Sequence, residues 1–196
     1  MAVKKYEYKE GTRGSLILCL DFHKLTYLNN VQSAFNILSR KGRSKAVYIT
    51  NAVNYYKSLG DGCKELDNIY SKINLFKEIS LMFNIRTRED IIKCLEEEPA
   101  GSSLPEVKPG RKMMCGFNEA DPRAVKMHKE LYDMAANDRL IFVSDAVCKY
   151  VEDGQDGEEF LLYAKKFLHD SAVEYNSGNK NVVDDFEQML KLAGIM

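Results

Sequence analysis

The sequence predicts a mainly helical protein with one short β-strand near its N-terminus. Two observations carry this prediction: leucines alternate with other residues over 16–20, and much of the remaining chain has apolar residues at the i, i+3, i+4, i+7 spacing of a helical face. The 196 residues are 45% hydrophobic, which suits one ordinary domain or two small ones.

Composition also narrows the location of the protein. No apolar run reaches the roughly 18 residues of a membrane span, and the N-terminus lacks the apolar stretch of a signal peptide. The five cysteines are odd in number and widely spaced, with no CxxC pair. We therefore expect reduced thiols in a cytoplasmic protein, without a disulfide framework or a zinc site.

The first elements are an arm, a strand and a helix. Residues 1–14 are polar and basic, and we interpret them as a flexible arm. In the strand that follows, Leu16, Leu18 and Leu20 share one face, which we expect to point inward. The outward set is then Ser15, Ile17 and Cys19. A helical pattern extends from about residue 26 to residue 40.

A basic turn, residues 40–45, follows this helix. It contains four basic residues, Arg40, Lys41, Arg43 and Lys45, together with Gly42 and Ser44. We expect Ser44 to be the N-cap of the next helix, its hydroxyl accepting from free backbone N–H groups. That helix has a buried face formed by Ile49, Ala52, Val53 and Tyr56. Since the start of a helix favours anions, the turn is a candidate phosphate-binding site; the alternative is a solvated charged turn in a helical hairpin.

Charge is unevenly distributed along the chain. Residues 1–60 contain ten Lys and Arg against three Asp and Glu, a balance of +7, so the overall net charge of −1 leaves −8 for residues 61–196. This asymmetry indicates a polyanion-binding head on an acidic body.

Residues 15–60, with their order of strand, helix, basic turn and helix, resemble the ribbon-helix-helix fold of Arc- and MetJ-type DNA-binding proteins. Within them, the "RKGRSK" turn and "YI..A...Y" helix are similar to the DNA-binding domain of ParR/StbB-type plasmid segregation adaptors. The resemblance implies a dimer or higher oligomer that binds double-stranded DNA, with contacts from Arg13, Ser15, Ile17, Cys19, Arg40, Lys41, Arg43, Ser44 and Lys45. This sequence departs from the family at Ile17 and Cys19, which cannot make bidentate hydrogen bonds to bases.

Residues 61–98 form a predicted helical region, in which Thr87 to Asp90 resemble a capping box that opens a helix to about Glu97. Three of the four prolines lie in 99–110, which we interpret as a linker.

Beyond the linker the first pattern returns in outline. Residues 111–117 are a candidate strand, and Pro122 suits the first turn of a helix. Residues 142–150 then align with 48–56 at an offset of 94, without the basic turn. We interpret 111–175 as a second ribbon-helix-helix-like or helical domain. The alternative is that any amphipathic helix of Ala, Val and Tyr matches as well.

The C-terminal part contains an acidic turn, a joint and a terminal helix. We expect the acidic residues of 152–157 to form a solvated turn, and 176–181 to be a flexible joint. The last helix has an apolar side that includes Val183, Phe186, Met189 and Leu190. In ParR-type adaptors a C-terminal segment engages an actin-like ParM filament, so the resemblance implies docking through these residues. The alternative is that the helix folds back on its own core.

Nothing in the sequence indicates an enzyme. The three histidines are solitary, and there is no P-loop, GxSxG or glycine-rich dinucleotide motif. We therefore predict no catalytic residues, no metal and no cofactor.

Three functions remain. The first is a DNA-binding adaptor that loads on a centromere-like repeat as a dimer and links it to an actin-like filament. The second is a transcriptional repressor or antitoxin-like regulator of the same fold. The third is a protein-interaction module that has lost DNA binding, which Ile17, Cys19 and the acidic body favour.

Overall fold

The computed structural model describes residues 16–65, 68–97 and 112–196, and within these ranges the chain is mainly helical with one antiparallel pair of strands. The strands are β1 (Leu16–Asp21) and β2 (Lys112–Phe117). The helices are α1 (Asn29–Arg40), α2 (Lys45–Ser58), α3 (Ile69–Phe83), α4 (Arg88–Glu96), α5 (Pro122–Asp133), α6 (Ala136–Glu152), α7 (Gly157–Asn176) and α8 (Asn181–Leu192). The mainly helical fold class is therefore confirmed. The predicted arm, residues 1–14, lies outside the described residues, and so does the predicted linker, 99–110.

The partner of the first strand comes from the same chain. β1 and β2 pair in antiparallel register, with Leu16 opposite Phe117 and Asp21 opposite Lys112. The inward position of the β1 leucines is confirmed, and β2 alternates in the same way. The strand predicted at 111–117 is also present, over 112–117. No second chain is required to complete this sheet.

Two strand–helix–helix units share the first hydrophobic core: β1, α1 and α2 form one, and β2, α5 and α6 form the other. Tyr56 and Tyr150 are half-buried, and the predicted correspondence between α2 and α6 otherwise agrees with burial, since the other three matched pairs are buried in both helices. These are Ile49, Ala52 and Val53 in α2, and Val143, Ala146 and Val147 in α6.

Aromatic pairs across the two units are related in the same way. Tyr48 packs edge-on against Tyr150, with ring centroids 5.5 Å apart, and Tyr56 packs edge-on against Phe142 at the same distance. The offset of 94 that relates Tyr48 to Phe142 also relates Tyr56 to Tyr150. Together with the antiparallel strands, these pairs indicate an approximate two-fold relation between the units.

A second core is built from α3, α4, α7 and α8. Its segments, 69–97 and 157–195, alternate along the chain with the two strand–helix–helix units. The two cores therefore do not correspond to an N-terminal and a C-terminal half of the chain. α7, for example, follows the second unit in sequence but packs mostly in the second core. Tyr163 of α7 contacts both cores.

The C-terminal helix corrects one expectation. Val183, Phe186 and Leu190 of α8 are buried in the second core, and Met189 is half-buried against it. The ring of Phe186 lies 4.7 Å from that of Phe76. The apolar side predicted to dock in a partner's groove is therefore already covered by α3, α4 and α7. The expected flexible joint is a short turn, closed by backbone hydrogen bonds such as that from Gly178 N–H to the Tyr175 carbonyl (3.1 Å).

Two predicted helix starts are confirmed. Thr87 and Asp90 form the reciprocal capping box of α4. α5 begins at Pro122, with the Asp121 carboxylate accepting from the Arg123 N–H. Among the described helices, none combines the length and the apolar character needed to cross a membrane.

Candidate nucleic-acid interface

The basic turn joins α1 to α2 through a short 3-10 segment, Gly42–Ser44. Gly42 has a φ of +54°, in the left-handed region that suits glycine. Ser44 occupies the N-cap position, but the prediction that its hydroxyl caps α2 is wrong: it donates instead to the Lys41 carbonyl (2.7 Å). The reason is backbone conformation, because Ser44 has a ψ near 0° rather than the extended geometry of a capping residue. The Ser44 side chain therefore accepts no hydrogen bond from the first turn of α2.

Two of the four basic residues are paired with acids inside the molecule. The Arg40 guanidinium donates to both carboxylate oxygens of Glu159, with the Nη2–Oε2 distance at 2.5 Å. Lys41 Nζ lies 2.5 Å from Asp156 Oδ2 and 3.3 Å from Glu159 Oε1. Arg40 and Lys41, both predicted phosphate contacts, thus face the start of α7.

The acidic turn before α7 is correspondingly not a solvated turn, which corrects that expectation. Asp156 caps α7 by accepting from the Glu159 N–H and also binds Lys41. Glu159, the next acid in the pairing, is buried, with only 5% of its side chain exposed. Asp153 accepts hydrogen bonds from the hydroxyls of Tyr55 and Ser71.

The electrostatics of this contact follow from its partners. Burial alone would raise the pKa of Asp156, but the hydrogen bond and charge of Lys41, together with backbone and Tyr48 donors, lower it. Burial likewise opposes the charged form of Lys41, and the two carboxylates outweigh it, so the pKa of Lys41 is raised. The ammonium also lies 4.9 Å from the centre of the Tyr48 ring, at cation–π distance.

The other two basic residues have a different environment. Arg43 is exposed and Lys45 is half-buried, and within the described part of the chain neither is paired with a carboxylate. Lys45 is the first residue of α2, and Arg43 belongs to the 3-10 segment that precedes it. Two further predicted contacts, Arg13 and Ser15, lie outside the described residues.

The outer face of the strand pair is mostly apolar. Ile17 and Cys19 point outward as predicted, and β2 adds Met114 and Gly116 beside them. Ile17 is 45% exposed and Met114 56% exposed. At one end of this face Asp21 lies 4.0 Å from Lys112, so their charges largely balance. The apolar part of this face can contact a thymine methyl group but cannot form the bidentate hydrogen bonds that identify a base.

The second unit lacks a matching basic turn, in line with its sequence. Residues Ala136, Asn137 and Asp138 begin α6. Arg139 is directed toward its own unit, since its guanidinium lies 5.6 Å from the Tyr132 ring and donates to the Leu131 carbonyl. The positive charge of the candidate interface therefore comes from the basic turn of the first unit.

Sequence reasoning missed a buried polar cluster next to the acidic turn. Lys149 is 1% exposed, and its Nζ lies 3.0 Å from both Asp153 Oδ1 and Ser71 Oγ. The cluster ties α3 to α6, and Ser71 also lines a cavity of about 520 Å³ between α3, α7 and α8. The i, i+4 spacing of Lys149 and Asp153 was visible in sequence, but their burial was not.

His128 is buried and structural in its contacts, with Nε2 3.2 Å from the Ile17 carbonyl. In the described ranges, no three His, Cys, Asp or Glu side chains come together as metal ligands.

No family model, curated protein or solved structure matches this chain.

Proposed function

We propose that this protein binds double-stranded DNA in the manner of a ribbon-helix-helix dimer, with both halves supplied by one chain. The observation that carries the proposal is the antiparallel pairing of β1 and β2 from two strand–helix–helix units. Ribbon-helix-helix proteins use such a two-stranded ribbon to approach DNA. In those proteins two chains contribute one strand each, whereas here the pair is intramolecular.

Phosphate is the main contact in this proposal. Arg43 and Lys45 add positive charge next to the start of α2, where the helix dipole also attracts an anion. The apolar outer face of the strands contributes little base discrimination. Affinity is therefore expected to be sensitive to salt, with sequence preference coming from residues outside the ribbon or from DNA shape.

The biological role that the resemblance implies is an adaptor in plasmid segregation, loading on a repeated DNA site and joining it to an actin-like filament. Regulation of transcription, as a repressor or antitoxin-like protein, is the alternative use of the same DNA contact. Because Val183, Phe186 and Leu190 are buried, we propose that a filament partner binds a surface other than the apolar side of α8.

A salt titration of DNA affinity tests the DNA-binding proposal. Fluorescence anisotropy with a short random-sequence duplex, and with fragments flanking the gene, gives the slope of log K against log salt. Replacing Arg43 and Lys45 by glutamine should reduce that slope by up to about 1.8, at about 0.9 per phosphate contact. The charge-matched control replaces Lys93 and Lys166, exposed lysines of α4 and α7. A slope unchanged in R43Q/K45Q, or no binding to any duplex at low salt, would refute the proposal.

The apolar strand face supports a second candidate, a protein-interaction module. Ile17 and Met114 are large, exposed and adjacent to the smaller Cys19 and Gly116. The double variant I17K/M114K separates the two candidates. If this face approaches DNA, two added lysines should strengthen binding and steepen the salt dependence. If the chain is instead a protein-interaction module that has lost DNA binding, the wild-type protein should bind no duplex, and the two lysines should abolish contact with an apolar protein surface.

A further inference from the structure

The start of α7 lies directly on the basic turn. Two acids form this contact, Asp156 and Glu159, and together they are named the acidic latch. Glu159 is bidentate to Arg40 and also reaches Lys41, while Asp156 binds Lys41 at 2.5 Å. Charge-assisted contacts of this length, with Glu159 nearly buried, hold the two cations in a fixed geometry.

The latch also connects the two cores. The basic turn belongs to the first core, between α1 and α2, whereas α7 packs against α3, α4 and α8 in the second. Asp156 is the N-cap of α7 and Glu159 lies in its first turn, in the same helix as the second-core residues Phe160, Ala164 and Leu168. Breaking the ion pairs of Arg40 and Lys41 in the basic turn would therefore also change the contacts at the start of α7.

We propose that the acidic latch is an internal competitor for polyanions, occupying Arg40 and Lys41 until phosphate displaces it. This inference rests on the proposed DNA-binding function and describes how its site is regulated. Carboxylate and phosphate oxygens use the same N–H donors, so Arg40 and Lys41 cannot satisfy both fully. Because the latch is tethered, its effective concentration at the turn is far above that of a free acid.

Two consequences follow from this competition. With the latch closed, only Arg43 and Lys45 of the basic turn are available to DNA, so the resting affinity is low. Phosphate binding by Arg40 and Lys41 releases Asp156 and Glu159, which loosens the first turn of α7. DNA binding at the first core is thereby coupled to the second core, and by linkage a partner that pulls α7 away increases DNA affinity.

The first test removes the acids and keeps their shape. In D156N/E159Q the amide oxygen introduced at position 156 can still cap α7, and Arg40 and Lys41 lose their carboxylates. Because phosphate no longer has to displace two carboxylates from Arg40 and Lys41, DNA affinity at about 100 mM salt should rise about tenfold over wild type, with a similar salt slope since the bound complex has the same phosphate contacts. The charge-matched control is E119Q/E158Q, two exposed acids with no ion pair among the described residues. Adding R40Q/K41Q to the latch variant should cancel the gain.

The second test uses wild-type protein and heparin, a polyanion without sequence. Hydrogen exchange should show reduced protection of the first turn of α7, residues 157–160, when heparin is bound at saturation. Unchanged protection in the heparin complex overturns the latch, and so does equal heparin affinity of D156N/E159Q and E119Q/E158Q.

The two proposals can fail separately. Stronger heparin binding by D156N/E159Q, with no binding of any DNA duplex, supports the latch and refutes the DNA-binding function. DNA binding with equal affinity in D156N/E159Q and E119Q/E158Q supports the DNA-binding function and refutes the latch.

Discussion

The substitution Asp153→Ala tests the buried cluster that joins α3 to α6. The Lys149 ammonium is 1% exposed, and its contacts are Asp153 Oδ1 and Ser71 Oγ, each at 3.0 Å. Tyr55 donates to the other oxygen of Asp153 (2.8 Å). Removing the carboxylate leaves a buried positive charge with a hydroxyl as its remaining neighbour, and it also removes the acceptor of Tyr55.

The expected cost is large and asymmetric. Breaking a buried ion pair from one side costs about 3–5 kcal/mol, because the remaining charge has no compensation. The substitution Lys149→Met removes the buried charge itself and keeps the aliphatic volume. Asp153 then retains two hydroxyl donors and partial solvent access, so the cost should be about 1–2 kcal/mol. The matched control, Asp61→Ala, opens the exposed Asp61–Lys64 pair and should cost less than about 1 kcal/mol.

Urea denaturation followed by circular dichroism measures these differences as shifts of the midpoint at constant slope. The order of destabilisation should be Asp153→Ala, then Lys149→Met, then Asp61→Ala. If Asp153→Ala destabilises no more than Asp61→Ala, or if Lys149→Met is the costliest of the three, the argument from uncompensated buried charge is refuted.

Three further predictions concern pH, thiols and backbone. The pKa of Asp156 is lower in the folded protein than its unfolded value near 4, so the ionised carboxylate stabilises the fold above about pH 4 and loses this effect as the pH falls through the folded pKa. Asp156→Asn should therefore lower the free energy of unfolding at about pH 6 and not at about pH 2. An equal cost at both pH values contradicts this prediction. Cys63 is exposed and should react first with a thiol reagent. Cys115 and Cys148 are buried, and burial raises the pKa of the Cys115 thiol to about 11 and also raises the pKa of the Cys148 thiol, so both should react slowly. A fast phase that persists in Cys63→Ser would count against this prediction. Gly42→Ala should cost about 1–2 kcal/mol in unfolding free energy because of its positive φ, and Gly42→Asn less, with equal costs as the contrary result.

Local sequence was enough to identify which faces are buried. Alternating leucines in β1 and the helical spacing of Ile49, Ala52 and Val53 predicted the inward residues correctly, whereas Tyr56, predicted on the same buried face, is half-buried. Local signals also placed the helix starts at Thr87 and Pro122. These features depend on residues within a few positions of each other, where backbone geometry alone decides which side chains share a face.

Tertiary packing sets what covers each face and which charges meet. The apolar stripe on α8 predicts that Phe186 is buried, but it does not predict whether α3 or another protein buries it. In the same way, the basic turn and the acidic latch are more than 110 residues apart, and neither carries a local signal of the other. Ser44 shows the converse, since its residue type suits capping but the 3-10 turn before α2 sets a different backbone angle. Sequence periodicity is a property of a single helix or strand, whereas a contact between two elements depends on how they pack together in the fold.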